Sequence, residues 1–427
     1  MEQLIENTAK IQEKWTQVTL EYRLNLLPKL AEILLNEKEE LAKIMVSEMH
    51  KPIKQAVAEI EKCALLCNYY QEHAALFLAP KQIKTDATES YVSYEPLGII
   101  LGIMPWNFPF WQVFRFAIPT LMAGNAVVVK HASNVPKCAN TIQILFEKAG
   151  FFTGLYQNLA VSSTAVTSLI ANPLIKAISL TGSEQAGIAV AETAAKYLKK
   201  CVLELGGSNA FLVLNDADSN QAVAVAVNAR MQNSGQSCIA AKRFLVQEEI
   251  ATKFINAFKT AVSTLKFGDA MDYSTEISSL AREDLAIDLE NQVKQSIKMG
   301  AKLVLGGTRN AAFFEPTILI DVTPEMPVFK EETFGPVAAI TTFKTLEEGI
   351  FLSNTSKFGL GVSVFTTDVE TIKKELFKFQ EGAVFINEMV KSDPRLPFGG
   401  IKYSGYGREL AEEGIKEFVN VKTVVIH

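Results

Sequence analysis

The sequence predicts an α/β protein built on parallel, doubly wound sheets, and three observations carry that prediction. Short apolar runs alternate with longer amphipathic stretches along most of the chain. The runs, such as LGIILGIMP (97–105) and AVVVKHA (126–132), are continuously apolar, as strands covered on both faces require. With 427 residues, 48% of them hydrophobic and 21% charged, the chain can bury cores for two or three domains.

Residues 2–78 read as successive helices. LLPKLAEILLNEKEELAKIMVSEMHKP (26–52) spaces its apolar residues by three and four and stops at Pro52. TDATESYVSYE (85–95) alternates like an exposed strand. From Pro96 strands and helices alternate. NLAV (158–161) reads as a strand, and AISLTGS (177–183) as a strand entering a glycine turn before the helix of 184–200. A second α/β region begins near CVLELGG (201–207), with strands at AFLVL, RFLVQ, AAITTF, GVSVF and AVFIN. The tail EFVNVKTVVIH (417–427) alternates like an edge strand. Unpaired edges are hazardous, so 85–95 and 418–427 are expected to pair with each other or with a partner subunit.

The net charge of −5 argues against nucleic acid or an anionic membrane as the main partner. No apolar run approaches the roughly 20 residues of a membrane span. Met1–Lys14 is polar, without the apolar core of a secretion signal. Five scattered cysteines read as free thiols of a cytoplasmic protein. Cys63 and Cys67, four apart on a helix, read as core residues. Four histidines without a cysteine cluster leave no basis for a metal site.

Four pieces are candidates for chemistry. Cys238 in NSGQSCIAAKRF follows a polar, glycine-containing loop, where backbone N–H groups can activate a thiolate; taken alone, such a cysteine is more often structural. Glu204 in LELGGSN ends a buried strand, where a carboxylate is costly unless it works as a base or is paired. Asn107 in PWNFPF sits between prolines. A rigid amide donor there suits an oxyanion hole, and a turn asparagine is the plainer alternative. TGSEQAG (181–187) puts glycines at a strand–helix junction that could hold a pyrophosphate, although it is not G-x-G-x-x-G.

PWNFP, TGS, LELGG and GQSC occur in that order, followed by EETFGPV (331–337) and PFGGIKYSGYGRE (397–409). The series resembles the aldehyde dehydrogenase superfamily over nearly the whole chain. The resemblance implies a Rossmann-type NAD(P)-binding domain (1–80 and 97–205), an α/β catalytic domain (206–405) and a β-strand oligomerisation segment (81–96 and 406–427), assembled as a homodimer or homotetramer. It implies Cys238 as nucleophile, Glu204 as the base that activates water, and Asn107 with the Cys238 N–H as oxyanion hole. It implies Trp106, Lys130, Ser133, Gly182, Ser183, Glu332 and Phe334 around the cofactor. The outcome is a thioester hydrolysed to a carboxylic acid. Relatives that pass the acyl group to coenzyme A usually lack the glutamate.

WQVFR, RMQN and AAKRF resemble the shorter bacterial succinate-semialdehyde subgroup. In that branch an arginine at the position of Arg115 faces the substrate carboxylate, which a guanidinium binds in two-point fashion. Ser392 matches its substrate-binding serine. A second arginine, often found six residues before the nucleophile, is here Gln232; Arg230 stands nearby. NAD-preferring relatives carry glutamate three residues after the lysine, where this chain has Ser133, so use of both cofactors with a lean to NADP is expected. Two further departures are Ser208, where lysine is commoner, and a chain that starts later than most relatives. A papain-like hydrolase has no suitable histidine. Uncharged aldehydes, longer dicarboxylic semialdehydes, and an inactive binding protein of the same fold remain the alternatives.

Overall fold

The computed structural model describes residues 1–427. Five parallel strands form the first sheet, in the spatial order Tyr156–Asn158, Ala126–His131, Ile99–Met104, Ile175–Thr181, Lys200–Glu204. The first strand in sequence lies at the centre, and the chain winds outward on both sides of it. Such a sheet opens a crevice where the winding reverses, between the C-terminal ends of Ile99–Met104 and Ile175–Thr181. The run CVLELGG, read as opening the second region, instead closes this first sheet. The strand read at NLAV lies slightly earlier, at Tyr156–Asn158. The short antiparallel strand Gly405–Tyr406 pairs with Lys200–Glu204 at the edge.

A second sheet of seven strands follows, ordered Lys302–Leu305, Thr317–Ile320, Val337–Phe343, Ala241–Gln247, Asn209–Val213, Val362–Phe365, Val384–Ile386. All neighbours are parallel except the first pair. Its inner strands are buried at nearly every position because both faces are covered. Along Asn209–Val213, Ala210 and Leu212 enter one core while Phe211 and Val213 enter the other. This explains why the sequence shows runs there rather than alternation.

The two segments predicted to pair do so within one chain. Glu89–Pro96 runs antiparallel to Val419–Ile426 over its whole length, from Glu89 opposite Ile426 to Pro96 opposite Val419. Val421, Val425 and Ile426 of the outer strand remain exposed.

Two long helices, Leu27–Met49 and Ile53–Phe77, form a hairpin whose first helix ends on His50 in the left-handed conformation (φ 58°). The second helix brings the N-terminal part of the chain to the site. Glu59 on it accepts the amides of Phe110 and Trp111 (2.9 and 3.0 Å) and pairs with the buried Lys51. A carboxylate at the start of the helix Trp111–Met122 satisfies amides that have no intrahelical acceptor. No helix is long and apolar enough to cross a membrane.

Candidate active site

The loop before Cys238 is strained. Asn233 and Ser234, with φ of 55° and 51°, and Gly235 at 76° are three consecutive left-handed residues. Such conformations cost about 1–3 kcal/mol each for residues other than glycine and persist only where the surroundings impose them. Here the surroundings are dense. Asn233 donates from Nδ2 to the carbonyls of Asn107 (2.9 Å) and Gln236 (3.1 Å). Ser234 donates to the Ser278 carbonyl at 3.0 Å. Arg230, wholly buried, donates to the carbonyls of Gly235 (2.7 Å), Ala241 (3.1 Å), Thr333 (3.3 Å) and Gly335. Arg230 thus belongs to the scaffold, tying the cysteine loop to EETFGPV. A side chain at Gly235 would collide with the Gly335 backbone, so glycine is required there.

Cys238 stands where two cavities meet. One, of about 440 Å³, is lined by Glu59, Lys62, Trp111, Arg115, Gln232 and Ser392 among others. The other, of about 270 Å³, includes Trp106, Asn107, Gly182, Ser183, Glu332 and Phe334. Cys238 and Gln112 line both. The other four cysteines are buried. Burial pushes the Cys238 thiol up to about 11, while Arg115 and then Lys242 pull it back. The thiol therefore carries its proton at neutral pH and gives it up as it reacts.

Asn107 donates from Nδ2 to the Gln236 carbonyl at 3.1 Å, two residues before the cysteine. The amide is thereby held beside the cysteine loop. Glu204 is buried, and neither of its carboxyl oxygens has a hydrogen-bond partner. The capped or salt-bridged alternative for this residue therefore falls. Desolvation, and next the neighbouring carboxyl of Glu409, hold its proton well above the usual carboxylate range. Glu204 lines neither cavity. A side chain on the adjoining Gly207 would meet the Cys238 carbonyl at 2.5 Å, so LELGG and the cysteine loop pack backbone to backbone.

The cleft fits a dinucleotide. Ser183 caps the helix Glu184–Lys196, accepting the Ala186 amide at 3.3 Å. The first-turn amides have no intrahelical acceptors and carry the positive end of the helix dipole, which suits a pyrophosphate. Trp106 and Phe334 meet edge to face with centroids 5.7 Å apart. Glu332 accepts the Gly207 amide at 3.0 Å. Lys130 and Ser133 stand at and just beyond the C-terminal end of the adjacent strand, Ala126–His131, outside the walls of this cavity; Ser133 is exposed.

Arg115 is partly engaged inside the protein. It lines the cysteine cavity, but its Nε is ion-paired with the buried Glu409 of GYGRE, its Nη2 reaches Thr181 Oγ1 at 3.4 Å, and it lies over the Phe398 ring at 4.6 Å. One edge of the guanidinium is thus engaged with the protein, while Nη1 has no partner within it. Arg115→Ala would strand Glu409, at a cost of about 3–5 kcal/mol, so it probes folding before it probes substrate.

Three residues escaped the sequence reading. Lys242, fully buried, donates to the carbonyls of Ser237 and Cys238 (both 2.8 Å) and pairs with Glu332 at 3.2 Å. The only sequence signal was a lysine inside an apolar strand, in AAKRF. Glu59 and Lys62 come from a helix about 170 residues away and gave none beyond their place on an amphipathic helix.

The sequence profile of the aldehyde dehydrogenase family matches residues 1–424. The chain is 51% identical to a probable NADP(+) succinate-semialdehyde dehydrogenase of Synechocystis sp., over 94% of this chain and 89% of that protein. It is 44% identical to the succinate semialdehyde dehydrogenase Sad, NAD(P)+, of Escherichia coli, over 96% and 89% respectively. The crystal structure of succinic semialdehyde dehydrogenase from Streptococcus pyogenes in complex with NADP+ superposes with a TM-score of 0.97 at 37% identity, covering 99% of this chain and 94% of that one.

Proposed function

This chain belongs to the aldehyde dehydrogenase family, and from that premise we propose that it oxidises a carboxylated aldehyde, with succinate semialdehyde as first choice, to the acid through a thioester on Cys238. The observation that carries this reading is the position of Cys238 at the junction of two cavities, one bearing cations and one built for a dinucleotide.

The Cys238 thiol gives its proton to solvent and its sulfur adds to the aldehyde carbon. The developing oxyanion is met by the Asn107 amide and the Cys238 N–H. NAD(P), when bound, supplies the acceptor for the hydride released from the aldehyde carbon. Trp106, Gly182, Ser183, Glu332 and Phe334 would hold it in the cleft, and Lys130 and Ser133 would serve its ribose. The thioester is then cleaved by water. Glu204 takes the proton of that water after its carboxyl swings out of its partnerless pocket, and Cys238 is released as the thiol. Lys242 fixes both the cysteine carbonyl and Glu332, so it keeps the two halves of the site in register.

Reduced-cofactor absorbance over a panel of aldehydes tests the substrate. Succinate semialdehyde is expected to outpace propanal by a wide margin. Glutarate semialdehyde stays closer, because one methylene in an apolar pocket discriminates by only about 10–200-fold. If propanal wins, the apolar walls of Phe108, Trp111 and Phe398 select an uncharged aldehyde and the carboxylate reading is lost.

We also infer use of both cofactors with preference for NADP. The relatives named above carry NADP(+) or NAD(P)+ in their names, and Ser133 offers no charge against a 2′-phosphate. Ser133→Glu is expected to lower kcat/KM for NADP far more than for NAD, since like charges then face each other. An equal effect on both, or a wild-type preference for NAD, refutes the role of Ser133. The three-stranded sheet of Lys81–Gln82, Glu89–Pro96 and Val419–Ile426, with its exposed Val421, Val425 and Ile426, we assign to oligomerisation. We propose the three-part division given by the resemblance, with Gly405–Tyr406 reaching back to the edge of the first sheet.

A further inference from the structure

The cavity beside Cys238 is lined by five charged side chains: Glu59, Lys62, Arg115, Lys391 and Asp393. Four of them are matched inside the protein. Glu59 is held by Lys51 and two backbone amides. Arg115 is held by Glu409, Lys391 by Glu388 at 2.7 Å, and Asp393 by Arg395 at 2.6 Å. Lys62 has no carboxylate within ion-pair distance. Its ammonium donates to Ser392 Oγ at 2.7 Å and sits 4.2 Å from the centroid of Trp111.

A half-buried cation without a counter-charge is an expensive arrangement for a structural residue. It becomes favourable when an anion arrives. The groups around Lys62 set its proton affinity: burial first, then Arg115 on the helix Trp111–Met122, lower the amine to about 8, while Cys63 and Glu59 on its own helix and Asp393 on the opposite loop raise it. The two cations therefore repel each other across a cavity that an anion can enter. Ser392 spends an oxygen lone pair on Lys62 and keeps its hydrogen to donate.

We propose that Lys62 determines specificity at this site: its ammonium, together with the Ser392 hydroxyl, takes the carboxylate at the far end of a semialdehyde whose carbonyl lies at Cys238. Arg115, already committed to Glu409, contributes field rather than the main grip. This assignment rests on the carboxylated-aldehyde reading above and names the residue that reading lacks.

The test compares wild type, Lys62→Met and Lys62→Arg at saturating cofactor, with succinate semialdehyde and butanal, which match in carbon count and differ in the carboxylate. In Lys62→Met the ratio of kcat/KM, semialdehyde over butanal, falls about 10- to 100-fold, the range of a hydrogen bond to a charged group. The loss sits in KM for the semialdehyde rather than in kcat. Lys62→Arg recovers part of the ratio. In wild type, KM for the semialdehyde rises as pH climbs through about 8 and the amine loses its proton; Lys62→Met lacks that rise. A purely structural lysine lowers both substrates together and leaves the ratio unmoved, which overturns the assignment. A wild type that prefers the semialdehyde with an unmoved ratio in Lys62→Met overturns the assignment alone. A wild type that prefers butanal overturns both the assignment and the substrate reading.

Discussion

Cys238→Ala is expected to fold, bind NAD(P) and oxidise no aldehyde. The loss in kcat is on the order of 10⁶-fold, the scale at which removing a covalent nucleophile acts. No other thiol can substitute. Cys63, Cys67, Cys138 and Cys201 are buried, and burial drives each of their pKa values upward. The substitution removes a single sulfur from a loop whose conformation is held by Asn233, Ser234, Arg230 and Lys242, so the fold should survive. Cofactor binding measured by fluorescence beside turnover measured by absorbance separates the two effects. Appreciable turnover in the variant would refute covalent catalysis here. The thiol itself provides a second readout. Only the thiolate is alkylated, so iodoacetamide labelling of Cys238 in the cofactor-free protein keeps climbing with pH toward about 11, instead of levelling off in the ordinary thiol range.

Glu204→Gln is the second large effect, and its signature is kinetic. The amide preserves shape and cannot accept a proton from water. Steady-state kcat falls about 10²–10⁴-fold, the usual worth of a general base. The first turnover survives, so a burst of reduced cofactor appears, close to one per site, followed by a near-stop. Intact mass then shows the acyl group on the protein. A burst lost in the same proportion as the steady state would place Glu204 before the thioester and sink the assignment. The pH dependence has a definite sign. Desolvation and Glu409 raise the Glu204 pKa, so the ionised fraction, and with it wild-type hydrolysis, increases with pH above the usual carboxylate range. The stability linkage runs the other way. A raised carboxyl pKa contributes stability that is present below the unfolded value and is lost as pH rises through the folded one. Glu204→Gln is expected to lack both the rising rate limb and that stability loss.

The parts of the molecule that were legible in sequence are those specified by local rules. Continuous apolar runs gave strands buried on both faces, and alternation at 85–95 and 418–427 gave two exposed strands that pair residue for residue. Glycine, asparagine and cysteine in PWNFP, LELGG and GQSC marked the places where backbone must approach closely, as Gly207 does to the Cys238 carbonyl and Gly235 to Gly335. These depend on steric limits that act within a few residues of the chain.

Charge partners were not legible, because an ion pair is chosen by packing across the whole chain. Arg115 looked free for a substrate until the fold brought Glu409 against it from 294 residues away. Lys62 carried no distinguishing signal in the sequence, and only the helix Ile53–Phe77 brings it to Ser392, 330 residues on. Glu204 was recognisable as a buried carboxylate, but that its oxygens lack any partner is a property of the assembled site. The sequence by itself thus determined the buried strands and the two pairing segments, since backbone geometry is local, and through the family resemblance it supplied Cys238, Glu204 and Asn107 as candidates. Only the tertiary structure decided which charges are already neutralised and which one still waits for an anion, since a Coulomb interaction depends on distance in space and on burial, and neither is encoded in spacing along the chain.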